Sequence, residues 1–419
     1  METAGNTASR LPFHYGWIIV GSGTLCIIAA LGFGRFTLGM LLPSMGATLH
    51  LSYAQMGLIS TGNFLGYLIS VLMSGSLTTR LGARKLIFSG LLLVGFSMLL
   101  ISYSESFAVV LLLYLLTGFG SGAANVPTMG LVSTWFAKQK RGRAAGFISI
   151  GSGFAIIFSG KVIPYINNLK GTVGWRTSWL LLGILVLLIA LVILSLIRNR
   201  PEEKGLKAAG SEYSVPEHHV SSEDLKPVLY KKKLLYHLGA LYFLFGYTYA
   251  IYVTFIVTTL VKEHGFSESV AGNFWSWVGF LSLFSGPVFG SLSDKLGRKT
   301  GLMIVFSFQM LAYLLAATKL PGIFLYLSIF FFGIVAWSIP SIMAAAVGDY
   351  VGPVNAAAAF GFITFIFGFG QISGPAVAGV LAEVTGSFSS SFSMAAFFAA
   401  AAVVGAALLK KPSPAARTH

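Results

Sequence analysis

Arg35 is the one Asp, Glu, Lys or Arg between Arg10 and Arg80. It lies in the run Leu31-Gly32-Phe33-Gly34-Arg35-Phe36-Thr37-Leu38-Gly39, inside an apolar stretch long enough to cross a bilayer. A guanidinium at that depth costs about 2.5–3.5 kcal/mol on insertion scales and stays protonated at any physiological pH. Its planar fork matches a carboxylate through two parallel hydrogen bonds. No acidic residue nearby in sequence supplies that carboxylate, so the expected partner is an anion that arrives and leaves. The structural alternative is a charge satisfied by helix-end carbonyls, and Gly32, Gly34 and Pro43 leave room for the local unwinding that would need.

The other ionisable residues sharpen this reading. All 13 acidic residues fall in tails, loops or helix ends, and none of the 7 histidines lies mid-membrane. Lys161, before Pro164 near one end of its apolar segment, is long enough to snorkel to water; attraction of external anions is its other possible role. Asp349, at the end of an apolar segment, is read as a gate or latch group. No metal-ligand cluster, nucleophile elbow or phosphate loop is present, which argues against an enzyme and implies no cofactor. The single cysteine, Cys26, excludes an internal disulfide and reads as a small buried hydrophobe.

These residues are carried by a strongly apolar chain. Of 419 residues, 55% are hydrophobic and 10% charged, with a mean hydropathy of +0.81. A soluble domain carries about 25% charge, so the class is a polytopic membrane protein, all α-helical, in the lipid bilayer. The 49 glycines suit closely packed transmembrane helices. Twelve spans are expected: 15–45, 52–78, 86–103, 107–136, 144–166, 177–197, 234–261, 269–292, 301–318, 322–347, 356–381 and 389–409. The first is too long for a signal-peptide core and is expected to be retained. The net charge of +15 is no nucleic-acid footprint, because most of the 28 Lys and Arg fall in segments on one side of the membrane. That bias puts both termini in the cytoplasm of a cell-membrane protein.

Residues 198–233 read as a cytoplasmic linker, charged, interrupted by Pro201, Pro216 and Pro227, and ending in Lys231-Lys232-Lys233. It separates a six-helix bundle at 15–197 from another at 234–409, with cytoplasmic tails at 1–14 and 410–419. The halves repeat. Gly75-Ser-Leu-Thr-Thr-Arg-Leu-Gly82 matches Gly290-Ser-Leu-Ser-Asp-Lys-Leu-Gly297, and Gly146-Phe-Ile148 matches Gly361-Phe-Ile363 at the same spacing. Parallel six-span repeats are one architecture of secondary transporters.

The segment from Gly290 through Asp294, Lys295, Gly297 and Arg298 to Lys299 resembles the loop signature of the major facilitator superfamily, and the resemblance extends over the whole chain. It implies that fold, with Gly290 and Gly297 allowing close helix approach and a tight turn. It also implies that Asp294, with Arg298 and Arg143, latches the cytoplasmic side. The N-terminal copy has Thr79 where Asp294 stands, so that latch is expected to be weaker. Within the superfamily, Trp135-Phe-Ala-Lys138-Gln-Lys140-Arg141-Gly-Arg143-Ala-Ala-Gly146, Gly174-Trp175-Arg176 and Tyr15-Gly16-Trp17 resemble monocarboxylate transporters; Gly174-Trp175-Arg176 is also similar to oxalate/formate exchangers. The resemblance puts Arg35 where those transporters carry a basic substrate-binding residue. It also implies a cavity lined by spans one, four, seven and ten, which nominates Asn125, Tyr242, Tyr249, Tyr252 and Trp337, with Gln371 in span eleven. Tyr242, Tyr249 and Tyr252 fall on one helix side and Tyr247 faces away. Asn63, Asn273, Trp275 and Trp277 read as packing residues. One departure stands out: the span-eight Asp and Arg used by relatives for proton coupling are replaced by Ser282 and Gly286.

The expected function is therefore alternating-access transport of small organic anions, monocarboxylates such as lactate-like acids, by a monomer with Arg35 as carboxylate clamp. Coupling is either exchange against a counter-anion or a proton carried with the substrate. An exporter of drugs or neutral solutes with the same fold, or a transport-dead membrane sensor, remains open at this point.

Overall fold

The structure, a computed structural model, describes residues 13–211, 233–318 and 322–409. The tail up to residue 12, the linker from 212 to 232 and the tail from 410 lie outside the described residues. Twelve helices are present among the described residues: α1 Gly16–Thr48, α2 Tyr53–Leu81, α3 Ala83–Ser102, α4 Phe107–Trp135, α5 Lys138–Lys170, α6 Gly174–Leu196, α7 Lys233–Lys262, α8 Glu268–Leu296, α9 Arg298–Ala317, α10 Ile323–Val351, α11 Pro353–Thr385 and α12 Ser389–Ala407. Ten stretches are long and apolar enough to cross a membrane; one of them, the 59-residue Lys138–Leu196, contains both α5 and α6. Helix α8 falls short on hydropathy, since Asn273, Ser276, Ser282, Ser285, Ser291, Ser293 and Asp294 all lie on it. Several helices outrun the spans expected from hydropathy, most clearly α5. Hydropathy marks the hydrocarbon, whereas helical hydrogen bonding continues into water through the polar ends Lys138–Arg143 and Asn167–Lys170.

Local sequence explains where the helices begin and end. Ser52 caps α2 in a capping box with Gln55, and Ser106 and Ser267 cap α4 and α8. Gly82 and Gly297, equivalent in the repeat, turn the chain after α2 and α8 at φ of 79° and 89°, a region open to glycine at little cost. Gly290, expected to allow close approach, faces open space here.

Helices α1–α6 form one bundle and α7–α12 the other, joined along a seam of α2 on α11, α5 on α8 and α1 on α7. The two ends of the seam differ. Residue 13, Arg198–Ser211 and Leu409 define one side, the linker side. On the opposite, outer side the bundles touch backbone to backbone. A Cβ on Gly57 would lie 2.2 Å from the Pro375 carbonyl oxygen, and one on Gly160 2.5 Å from that of Gly272. Thr61 Oγ1 donates to Ile372 O at 2.8 Å, the Ala54 amide donates to Glu383 at 3.2 Å, and Asn167 Nδ2 donates to Glu268 at 2.5 Å. On the linker side Gly75, Gly146, Gly290 and Gly361 would meet nothing within 4 Å. There the bundles part around a cavity of about 670 Å³, lined by α5 from Gly142 to Gly153, α8 from Ser282 to Pro287, and Trp337, Ser341 and Ala344 of α10. The molecule is closed on its outer side and open on its linker side.

The first part of the linker is folded against the N-terminal bundle. Ala209 and the Trp135–Ala137 segment exchange backbone hydrogen bonds of 2.9 and 3.1 Å. Tyr15 Oη donates to Leu196 O at 2.7 Å and Trp135 Nε1 to Arg198 O at 3.1 Å.

Because the outer seam is made by glycines, enlarging one of them should hold it open. In a protein carrying Cys26→Ala and Ser60→Cys, labelling of the introduced thiol by a bulky maleimide is expected to rise several-fold when Gly160→Leu is added. Gly290→Leu should leave it unchanged, since that glycine faces open space.

Candidate functional site

The Arg35 side chain is 8% exposed at the seam. Its helix is widened there: Ile28–Phe36 is a π-helical segment of 9 residues within α1. Such segments displace the backbone from the i→i+4 ladder and recur at functional sites. The small residues Ala29, Ala30, Gly32 and Gly34 permit it, and side-chain donors from α2, α4 and α1 itself meet its carbonyls. Ser121 Oγ donates to Ala30 O (2.6 Å), Thr37 Oγ1 to Gly32 O (3.2 Å), Asn63 Nδ2 to Gly34 O (3.1 Å) and Tyr114 Oη to Arg35 O (2.9 Å).

The guanidinium itself is held by neutral groups. Arg35 Nε donates to Asn63 Oδ1 at 3.3 Å, and Cζ lies 4.1 Å from the Tyr67 ring centroid and 4.8 Å from that of Phe64. Aromatic faces stabilise a cation by about 0.5–2 kcal/mol each. Among the described residues no carboxylate pairs with it, and Nη2 has no hydrogen-bond partner. Asn63 can do this because α4 approaches it through Gly118, where a Cβ would lie 1.9 Å from the Asn63 carbonyl oxygen.

The C-terminal bundle supplies the facing wall. Tyr249 packs edge-on against Phe64 (6.5 Å) and Trp337 (6.0 Å), its hydroxyl accepts from Gln371 Nε2 at 2.5 Å, and Arg35 interacts with it across the seam. Trp337 sits where α10 is broken between Val335 and Ser338, and its ring meets Phe36 of α1 at 5.0 Å. Ser285 of α8 satisfies the break, accepting from Trp337 N at 3.1 Å and from Ser338 Oγ at 2.9 Å. Trp337 also lines the linker-side cavity, and through Tyr249 and Phe64 its ring contacts lead from that cavity to the guanidinium. Outward of Arg35 there is a void of only about 10 Å³, room for one water at most. The Ser60–Thr254 hydrogen bond of 2.9 Å closes it across the seam.

Of the residues nominated from sequence, Arg35, Tyr249, Gln371 and Trp337 come together here. Asn125 joins them through Tyr67, donating to its hydroxyl at 2.7 Å. Tyr242 is one ring removed, stacked on Phe367 at 4.4 Å. Tyr252 does not reach the site. It is buried inside the C-terminal bundle, stacked on Phe332 at 4.0 Å and bonded to Ser328 at 2.9 Å; three residues leave the two positions about 60° apart around the helix, and that offset turns Tyr252 to its own bundle while Tyr249 faces the seam. Tyr247 packs against Phe398, away from the seam.

The gate candidates form a separate cluster at the linker side. Arg298 pairs with Asp294 and with Asp349, the latter at 2.6 Å, and also donates to Ser293 at 2.8 Å. The cluster ties α8, α9 and α10 within one bundle. Thr79, at the Asp294 position of the other half, bonds only to Ser76 of its own helix. Arg143 lines the cavity mouth over Trp17 at 5.6 Å. Sequence reasoning missed Asn63, Phe64, Tyr67 and Tyr114. The available signal was an amide and a phenol one helical turn apart, Asn63 and Tyr67, in an uncharged span.

Asn63 orients the cation, so two substitutions there should separate packing from charge. Asn63→Ala is expected to cost about 1–3 kcal/mol of stability, read from thermal unfolding. Asn63→Asp sets a carboxylate against Arg35 Nε and should weaken binding of any organic carboxylate at least tenfold in calorimetry.

Comparison with known proteins agrees with this architecture. The chain is 27% identical over 397 residues to the hexuronate transporter of Bacillus subtilis (strain 168), covering 88% of this chain and 90% of that one. It is 26% identical over 410 residues to human monocarboxylate transporter 2, covering 89% and 81%, and 22% identical over 391 residues to the probable sulfoacetate transporter SauU of Cupriavidus necator, covering 88% of each. Among solved structures, the nucleoside transporter NupG superposes with a TM-score of 0.72 at 17% identity, covering 95% of this chain and all of that one. A bacterial homolog of the human lysosomal transporter Spinster, in an inward-facing, unoccupied conformation, superposes with a TM-score of 0.71 at 16% identity, covering 96% of each chain. Residues 27–411 match the family described as uncharacterised MFS-type transporter YbfB, and with the twelve-helix fold this makes the chain a member of that transporter family, not an enzyme.

Proposed function

We propose that this protein moves small organic monoanions across the cell membrane by alternating access, with Arg35 as the carboxylate clamp and hydroxylated monocarboxylates, lactate-like acids, as the preferred class. The observation that carries the reading is Arg35 itself: a buried cation at the seam, held by neutral groups, with Nη2 unpartnered. A carboxylate supplies the missing charge and the missing acceptor together. Among the residues nominated from sequence, two more have a buried atom without a partner, the donor Trp337 Nε1 and the acceptor Asn125 Oδ1. A ligand carrying a hydroxyl beside its carboxylate offers the donor that Asn125 lacks. The relatives named for hexuronate, monocarboxylate and sulfoacetate transport support an organic anion as cargo.

The same geometry bears on coupling. No Asp, Glu or His contacts Arg35 among the described residues, so the site has no side chain with which to trade protons for substrate. With the cation uncompensated, returning the empty carrier costs up to about 2.3 kcal/mol per 100 mV if the charge crosses the whole field. A bound monoanion removes that cost. Exchange of one anion for another is the coupling this favours. Asp294, Arg298 and Asp349 would then latch the linker side, and the bias of Lys and Arg would put that side, with both termini, in the cytoplasm.

Two measurements test this. A panel of carboxylates should raise the unfolding temperature of the wild type and leave Arg35→Ala unmoved; equal stabilisation of both would remove Arg35 as the clamp. In liposomes, uptake of a labelled monocarboxylate should rise at least tenfold with unlabelled anion inside. Uptake indifferent to internal anion but driven by an imposed proton gradient would establish symport instead.

A further inference from the structure

A second membrane-embedded cation lies well away from the Arg35 site. Lys161 of α5 donates to Asn273 Oδ1 of α8 at 2.5 Å, so the contact joins the two bundles on the closed, outer side. An ammonium carries three donors, and this bond uses one. Among the described residues the only ion pairs are those of Arg298, so Lys161 has no acid. The nearest carboxylate along the seam, Glu268, lies five residues further out on α8 and is engaged by Asn167.

Lys161 lies at the edge of a groove of about 550 Å³, whose walls include Ile157 of α5, Val270, Phe274, Trp277 and Phe280 of α8, and Tyr326 of α10. Trp277, Phe280 and Tyr326 are 56%, 44% and 52% exposed. On a transmembrane helix, exposed apolar rings of this kind face acyl chains, so the groove opens sideways into the bilayer. Its depth is informative. Asn273 lies five residues into α8, about 7.5 Å from its outer end. The polar interface of a bilayer is about 5–8 Å thick on each side, which puts the ammonium near the junction of headgroup and hydrocarbon.

We propose that this groove binds one anionic phospholipid, its phosphate on Lys161 beside Asn273 and an acyl chain along the exposed rings of Trp277 and Phe280. A small soluble anion would satisfy Lys161 and leave the apolar wall unused, whereas a neutral lipid would fill the wall and leave the charge. Only an amphiphile with a net negative head matches both. Because Lys161 and Asn273 come from different bundles and meet with the outer side closed, the bound lipid favours that closed state. The site acts on the equilibrium between conformations and is independent of which substrate occupies the Arg35 site.

Native mass spectrometry of the detergent-purified protein with equimolar phosphatidylglycerol and phosphatidylcholine tests the proposal. The wild type should retain one phosphatidylglycerol in preference to phosphatidylcholine. Lys161→Met should lower that preference at least tenfold, and Lys161→Arg should keep it. Trp277→Ala, which leaves the charge in place, should lower retention of either lipid. Equal retention of the two lipids by the wild type, or undiminished preference in Lys161→Met, would overturn the site. Displacement of the retained lipid by millimolar inorganic phosphate would assign Lys161 to soluble anions and overturn the lipid as occupant.

Discussion

A permanent positive charge buried at the seam between two bundles, with no acid paired to it among the described residues, organises the centre of this molecule. Arg35 cannot be neutralised by proton loss, and it is too deep to reach water. The surroundings meet that constraint with dipoles and ring faces: the Asn63 amide on Nε and the Tyr67 and Phe64 rings against the guanidinium plane. Each partner is neutral, so the charge is stabilised without being cancelled. An internal carboxylate would have made a stronger resting site and a poor binding site, since an incoming anion would then have to displace a partner already in place.

The widened turn of α1 follows from the same constraint. A regular helix points its carbonyls along its own axis and commits each to an amide four residues on. The π segment exposes the carbonyls of Ala30, Gly32, Gly34 and Arg35, and hydroxyl or amide donors, mostly from α2 and α4, meet them. Opposite it, α10 is broken at Trp337 and repaired by Ser285. Both bundles therefore face the site with an interrupted helix, and in both the freed backbone groups are satisfied by protein, as a low-dielectric interior demands.

Much of this architecture is legible in the amino-acid sequence. Hydropathy marks the spans, the Gly75 and Gly290 segments mark the repeat, and the isolation of Arg35 in an apolar run marks the centre of the site. The remaining parts are harder to read for physical reasons. An amide such as Asn63 serves helix packing and charge orientation equally well, and it does both here: one end holds two backbone carbonyls and the other holds Arg35. Tyrosines on α7 share a composition but not an environment. Tyr249 faces the seam and Tyr252 the interior of its own bundle, a distinction set by a fraction of a helical turn and by where α10 and α11 pack. Gly290 shows a different limit, because the motif marks a close approach and the glycine faces open space in this conformation.

The outer closure has one further property. None of its polar contacts among the described residues joins two opposite charges: Glu383 meets the Ala54 amide, Glu268 meets Asn167, Lys161 meets Asn273, Thr61 meets the Ile372 carbonyl and Ser60 meets Thr254, and glycines bring the backbones together around them. Mobile ions weaken a seam built from opposite charges by screening both partners. They have far less purchase on charge–dipole bonds and van der Waals contact at this range. The face that closes over Arg35 is therefore a joint whose grip depends little on ionic strength and is set by fit.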